Sequence, residues 1–336
     1  MYIEDSTCIK LSDDLAEDFP GNGYWGKGSN KAILKIQATY NLFKQNFARF
    51  EITNFRKNDQ SYSKQILELA KRGDLIIRDL GYFVLKVFRE LNTSGIFYIS
   101  RLRKDVRIYS ADGEELIDLA KILKKTANKY PGCRLDMQVI LGEEERLPAR
   151  IIAIPVADDV AGERRRKART NRDSRVNPSK ASIYLLGWEL FVTNVSKQQL
   201  SAEDISAVYF IRWRIEIIFK CWKSYFKMTA IPRDADKIRV ESYIYCMLIF
   251  ILLFQVSFYI YCREIMQSED SSSSQNELSS LLLTQYIANN ITTIWDARFL
   301  DDKKTGRVIM TQISYYCRYD CRYDRQNYYQ KLNNLG

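Results

Sequence analysis

The chain has 336 residues, of which 46% are hydrophobic and 13% aromatic, enough for a large core in one or two domains. Its net charge of +10 favours an anionic partner, either nucleic acid or an anionic membrane surface, although a soluble protein without such a partner can carry the same balance. The absence of histidine excludes Ser-His-Asp and Cys-His catalysis and histidine-ligated zinc. Any chemistry therefore comes from carboxylates, Lys, Tyr, Cys or a bound metal.

The first hundred residues predict a mixed sheet flanked by helices. The elements, in chain order, are strands at residues 1–11, 32–42 and 47–55, a helix at 61–73, a strand at 75–79, a helix at 84–92 and a strand at 95–103. The second and third strands alternate cleanly around a short polar turn, which predicts an antiparallel hairpin. Asp5 falls in the first strand, and Asp79 ends the fourth.

Residues 104–195 differ from the first hundred, because strand-like runs outnumber the single predicted helix, and they predict a mostly β insertion. Within it, residues 161–180 hold eight basic and two acidic residues, a net charge of +6. This run indicates either a solvated loop or a flexible arm that binds a phosphate backbone, and we favour the arm. Its densest part is Arg164, Arg165 and Arg166.

A long helix is predicted after the insertion, over the segment from Tyr209 to Lys227. On a helical projection, one polar stripe contains Tyr209, Arg212, Glu216, Lys220, Lys223 and Lys227, and a separate apolar face contains Ile211, Ile215, Ile218, Trp222 and Phe226. Glu216 could form ordinary surface salt bridges with Arg212 and Lys220. Alternatively, it could join the carboxylates of Asp5 and Asp79 around a hard cation, for which Mg²⁺ is suited.

The run from Tyr243 to Cys262 is long enough to cross a bilayer, but Gln255 and Ser257 interrupt it. We predict a helix that is buried on all sides and no membrane association. Seven scattered cysteines without a CxxC pair indicate reduced thiols and a cytoplasmic protein, and they assign no role to the Cys317 and Cys321 pair. A serine-rich linker at 268–277 leads to a final helical region.

The spacing Tyr209-x2-Arg212-x3-Glu216-x6-Lys223 resembles the Y-(2)-R-(3)-E-(6)-K signature of DDE transposases of the insertion sequence 4 group. Further matches are "DSTCIKL" at the first acid, "DLGYF" at the second and "GWELFVTN" upstream of the third. The resemblance implies an α/β, RNase H-like fold with a β insertion. The expected regions are a first core part at 1–103, the insertion at 104–195, a second core part at 196–264 and a helical C-terminal region at 265–336.

The resemblance also implies the chemistry. Asp5, Asp79 and Glu216 would bind two Mg²⁺ ions, for which Mn²⁺ would substitute, while Tyr209, Arg212, Lys220 and Lys223 would contact phosphates of double-stranded DNA. Water would cut the strand, and the freed 3′ hydroxyl would attack, either forming a hairpin on the transposon end or joining target DNA. The expected setting is a homodimer on DNA at the bacterial nucleoid.

Two alternatives stay open at this point. Trp188 either stacks on a flipped base, as a relative's tryptophan does, or fills the core. Relatives usually carry a helical DNA-binding domain before the first acid, whereas Asp5 stands near the start of this chain. The chain is therefore expected to be either a catalytic domain that lacks this amino-terminal domain or an inactive remnant that only binds DNA.

Overall fold

The computed structural model describes residues 1–21, 31–44, 46–171, 178–269, 278–299 and 302–317. Most of the glycine-rich loop, part of the basic run, most of the serine linker and Cys321 lie outside these ranges. The chain divides into two compact units, and each is described separately. The first unit contains Met1–Glu4 and Asn58–Arg212, and the second contains Asp5–Lys57 and Trp213–Gly336.

The strands are β1 (Tyr2–Lys10), β2 (Ile33–Asn41), β3 (Asn46–Asn54), β4 (Leu75–Arg78), β5 (Phe97–Arg101), β6 (Ile108–Tyr109), β7 (Leu135–Leu141), β8 (Leu147–Pro155) and β9 (Trp188–Thr193). The helices are α1 (Asp59–Tyr62), α2 (Leu85–Thr93), α3 (Leu119–Lys129), α4 (Asp158–Arg169), α5 (Lys180–Leu185), α6 (Ala202–Phe210), α7 (Trp213–Ser224), α8 (Lys237–Leu253), α9 (Ile260–Glu269), α10 (Ser280–Phe299) and α11 (Lys303–Tyr316). The predicted order of the first hundred residues is confirmed, but the helix predicted at 61–73 is a short α1 followed by a 3-10 helix at Ser63–Glu68.

The first unit is built on a mixed sheet in the order β1-β4-β5-β9-β8-β7-β6. Strands β1, β4 and β5 run parallel, whereas the pairs from β5 to β6 are antiparallel. The strands of the expected insertion therefore continue the same sheet as β4 and β5. Together with the flanking helices, this confirms the α/β class with a large mixed sheet.

The two faces of this sheet have different environments, because side chains alternate along each strand. One face carries the main apolar core, which includes Tyr98, Trp188, Leu190 and Val192 and packs against α2, α3 and α5. The alternate positions of β5 and β9 carry Arg101, Glu189 and Phe191 instead. The first unit thus has one mainly apolar face, which also holds the buried Glu4–Arg78 ion pair, and one face that carries Arg101 and Glu189.

A buried ion pair joins β1 to β4. Glu4 and Arg78 are register partners, and the Arg78 Nε donates to the Glu4 carboxylate at 2.5 Å, with both side chains almost fully buried. The same guanidinium donates to the Ser63 hydroxyl at 2.9 Å and to the Ser63 carbonyl. Because a buried charge without its partner is strongly unfavourable, this pair favours one register of β1 on β4.

The second unit contains the predicted hairpin, β2 with β3, and the sheet order β3-β2-β1. The Trp222 ring on α7 packs against Phe47 and Phe50 of β3, at 5.2 Å and 5.6 Å between ring centres. The apolar face predicted for the 209–227 segment is confirmed as buried. A separate apolar cluster is formed by Cys262, Leu283, Ile287, Ile309, Ile313 and Cys317 from the C-terminal helices.

Three sequence predictions are wrong. The basic run is not a loop over Asp158–Arg169, because these residues form α4, with two aspartates in the first turn and basic residues in the last, where each favours the helix dipole. The long helix around Tyr209 is interrupted between α6 and α7. Helix α8 is not buried on all sides, because Tyr245, Ile249 and Leu253 are exposed.

Over the described residues, no helix is both long enough and apolar enough to cross a membrane.

Glu4→Gln is expected to destabilise the first unit by about 3–5 kcal/mol, because the Arg78 guanidinium would be left buried without its carboxylate. The measurement is the free energy of unfolding in urea. The matched control is Glu143→Gln, which removes a carboxylate from an exposed pair with Arg107 and is expected to change the free energy of unfolding far less. Equal effects of the two substitutions would contradict the assigned role of the buried pair.

Candidate active site

The candidate site in the first unit centres on Asp79, which directly follows β4 and is in an extended conformation. The Tyr209 hydroxyl donates to Asp79 Oδ1 at 3.3 Å, and the Arg212 Nε lies 4.0 Å from the same oxygen. The fold therefore brings together three of the predicted site residues, although 130 positions separate Asp79 from Tyr209. Asp79 is 43% exposed, so its carboxylate is accessible to a ligand.

Helix α6 places Tyr209 over the charged face of the sheet. The helix begins with a capping box, in which Ser201 accepts from the Asp204 amide and the Asp204 side chain accepts from Ser201. The Tyr209 ring packs against Phe191 of β9, at 5.1 Å between ring centres. The helix ends at Phe210, and the Arg212 amide donates to the Tyr209 carbonyl at 3.0 Å in the turn that follows.

Burial is the main influence on the ionisation of Tyr209. Burial raises the pKa of Tyr209 to about 12, Arg212 and Arg101 act to lower it, and Asp79 acts to raise it. The phenol is therefore neutral at neutral pH and acts as a hydrogen-bond donor to the Asp79 carboxylate. The Arg212 guanidinium lies 5.7 Å from the Tyr209 ring centre, where it can also interact with the aromatic face.

Two charged residues of this face were missed by the sequence reasoning. Arg101 Nη2 donates to Glu189 Oε1 at 3.1 Å, and the Arg101 guanidinium lies 5.3 Å from the Tyr209 ring centre. Arg164 Nη2 on α4 donates to the same Glu189 oxygen at 3.2 Å. The sequence signal that could have identified them is the alternation of side chains along a strand. When β4, β5 and β9 are aligned, Asp79, Arg101 and Glu189 fall on the same face of the sheet.

The second unit contains four of the predicted residues: Asp5, Glu216, Lys220 and Lys223. Asp5 lies in β1 and accepts from the Ser6 amide at 2.8 Å, and Glu216 lies in the first turn of α7. Both are partly buried. Lys223 is half-buried, and burial lowers its pKa while Cys8 of β1 acts to raise it. Lys220 is exposed.

Asp5 and Asp79 follow the two members of a register pair of β1 and β4 in sequence. Glu4 is paired with Arg78; Asp5 is the next residue of β1, and Asp79 is the first residue after β4. Carboxylate oxygens of this kind suit a hard divalent ion. Within the described residues, no three Asp, Glu, Cys or His side chains form a ready metal-binding group.

Trp188 is 7% exposed and lies in the apolar core, with Leu190 and Val192 on the same side of β9. Phe191, which contacts Tyr209, has the opposite orientation in the strand. This arrangement supports the core alternative. Stacking on a flipped base stays a prediction, and it would require the indole to leave the core.

The three arginines of the basic run have different surroundings on α4. Arg164 is paired with Glu189, Arg165 is partly buried and Arg166 is exposed. Lys104, whose pKa is lowered by partial burial and by Arg164, adds further positive charge to this region. Arg166 is thus the member of the three that is most available to a phosphate.

Tyr209→Phe is expected to lower the free energy of unfolding by about 1–2 kcal/mol, because it removes a hydrogen bond to a carboxylate. The matched control is Tyr98→Phe. The Tyr98 hydroxyl is buried and has no hydrogen-bond partner within the described structure, so its removal should be neutral or stabilising. Urea denaturation measures both, and a larger loss for Tyr98→Phe would contradict this assignment.

The family model described as "Transposase DDE domain" matches residues 2–251. The transposase for insertion sequence element IS231D of Bacillus thuringiensis subsp. finitimus is 29% identical over 328 residues, covering 91% of this chain and 68% of that protein. The transposase for IS231B of Bacillus thuringiensis subsp. berliner is 27% identical over 312 residues, covering 88% of this chain and 63% of that protein. This chain therefore spans about two thirds of the length of these relatives.

Among solved structures, a piggyBac transposase synaptic complex with hairpin DNA has a TM-score of 0.42 and 10% identity, covering 95% of this chain and 57% of that one. The family assignment rests on the sequence match, which includes Asp5, Asp79 and the whole Tyr209-to-Lys223 signature. On this basis, the chain belongs to the family of transposase DDE domains.

Proposed function

We propose that the chain catalyses metal-dependent cleavage and strand transfer at the ends of a DNA transposon. The observation that carries the proposal is the contact of Tyr209 and Arg212, two residues of the transposase signature, with the carboxylate of Asp79. Both residues come from a part of the chain that is distant from Asp79 in sequence, and both lie at one carboxylate oxygen. The family assignment supports the same chemistry.

Asp5, Asp79 and Glu216 are the proposed metal-binding residues. All three offer carboxylate oxygens, which suit Mg²⁺ and Mn²⁺. Two such ions, about 3.5–4 Å apart, would activate an attacking oxygen and stabilise the leaving one. Tyr209 and Arg212 would orient the Asp79 carboxylate, because both already contact one of its oxygens.

The cationic residues are the proposed phosphate contacts. Arg212 and Lys223 are partly buried, so their charges are less screened by solvent than those of exposed side chains. Lys220 and Arg166 are exposed and would hold the DNA backbone further from the reacting bond. The proposed setting is a homodimer on double-stranded DNA at the bacterial nucleoid, with Mg²⁺ as the physiological ion.

Asp79→Asn is expected to reduce Mg²⁺-dependent nicking of supercoiled DNA carrying the transposon ends by at least about 100-fold, while DNA affinity changes by less than about threefold. Asp5→Asn and Glu216→Gln should behave alike. The matched control is Asp105→Asn, an exposed aspartate that is paired with Arg103. Activity that persists in Asp79→Asn would contradict the proposal, and a parent chain that binds DNA without nicking would favour the inactive remnant.

Arg166→Gln is expected to weaken DNA binding equally for all sequences and to lower the slope of log affinity against log salt by about 0.9, the value for one lost phosphate contact on duplex DNA. Fluorescence anisotropy at several salt concentrations measures this slope. The matched control is Arg107→Gln, another exposed arginine of the first unit that is paired with an exposed glutamate. An unchanged slope in Arg166→Gln would exclude this contact.

A further inference from the structure

We propose that Glu189 is a positioning residue that links the basic helix α4 to Tyr209 and thereby to the Asp79 carboxylate. The inference rests on the proposed function, because it assigns a role in DNA cleavage to a side chain behind Tyr209. The linked residues are Arg164, Glu189, Arg101, Tyr209 and Asp79, and all five belong to the first unit.

A single oxygen of Glu189 holds two guanidinium groups. Oε1 accepts from Arg101 Nη2 at 3.1 Å and from Arg164 Nη2 at 3.2 Å. The Glu189 side chain is 11% exposed, whereas the Arg101 and Arg164 side chains are 27% and 34% exposed, so the shared carboxylate is the most buried member of the cluster. Removal of the negative charge would leave two neighbouring cations without the anion that offsets their mutual repulsion.

Arg101 contacts both Glu189 and Tyr209. Its guanidinium carbon lies 5.1 Å from the Phe191 ring centre and 5.3 Å from the Tyr209 ring centre, so one cation sits against both aromatic rings. The Tyr209 hydroxyl then donates to Asp79 at 3.3 Å. A change in the position of Arg101 therefore changes the packing of the residue that holds Asp79.

Helix α4 is the other end of the link. Arg164 lies two residues before the exposed Arg166, and both belong to one helix of 12 residues. Because a helix moves as a rigid element, a phosphate bound at Arg166 restrains Arg164 and, through Glu189, Arg101. The arrangement thus provides a path by which contact of α4 with DNA fixes Tyr209 and Asp79 in place.

The test uses the full chain and single-turnover cleavage of transposon-end DNA at saturating DNA. Glu189→Gln should lower the cleavage rate about tenfold and change the DNA dissociation constant by less than about threefold. The matched control is Glu163→Gln, which makes the same change of Glu to Gln at a position on α4. It breaks only the exposed pair with Lys167 and should leave the cleavage rate unchanged. Arg164→Gln should lower the cleavage rate of the parent chain. In the Glu189→Gln background, the same substitution should not lower the rate further.

Amide hydrogen exchange separates this inference from the proposed function, because it needs no activity. Arg164→Gln on α4 should raise exchange in α6, and it should not do so further in the Glu189→Gln background. A local structural role would raise exchange only in α4 and would overturn the link, as would equal cleavage rates of Glu189→Gln and Glu163→Gln. A parent that does not cleave refutes the proposed function, and the exchange result then decides the link by itself.

Discussion

The buried pair of Glu4 and Arg78 is the constraint on which the candidate site depends. It fixes the register of two parallel strands, and Asp5 and Asp79 are the residues that follow its two members. In a strand, a shift of one residue turns every side chain to the opposite face. Such a shift would move Arg78 out of the apolar side of the sheet and change the direction of both aspartates. The ion pair is therefore more important for specifying the arrangement than for its net stabilisation.

The signature of the family divides between the two units at the interruption after α6. Tyr209 and Arg212 belong to the first unit with Asp79, whereas Glu216 and Lys223 belong to the second with Asp5. A continuous helix would fix all four residues in one rigid element. Within the first unit Tyr209 packs against Phe191 of β9, and within the second unit Glu216 lies on α7, whose Trp222 packs against the β3 aromatics.

The sequence predicted the features that depend on local periodicity. Alternation identified the hairpin of β2 and β3, and the spacing of Tyr209, Arg212, Glu216 and Lys223 identified the family. Prediction from the sequence failed for the features that depend on contacts between residues distant along the chain. Helix α4 was assigned to a loop because its charge density hid the helix, whose Arg164 is neutralised by a glutamate on a distant strand. The contacts of Arg101 could not be predicted from local sequence, because its partners Glu189 and Tyr209 are 88 residues or more away along the chain.

The central claim is that Asp5, Asp79 and Glu216 bind the same divalent ions. Its most direct test is anomalous diffraction from crystals of the full chain with transposon-end DNA and Mn²⁺. The account predicts anomalous peaks within about 2.0–2.4 Å of oxygens from all three carboxylates. Peaks bound elsewhere, or a Glu216 carboxylate remote from Mn²⁺ ions held by the two aspartates, would contradict it.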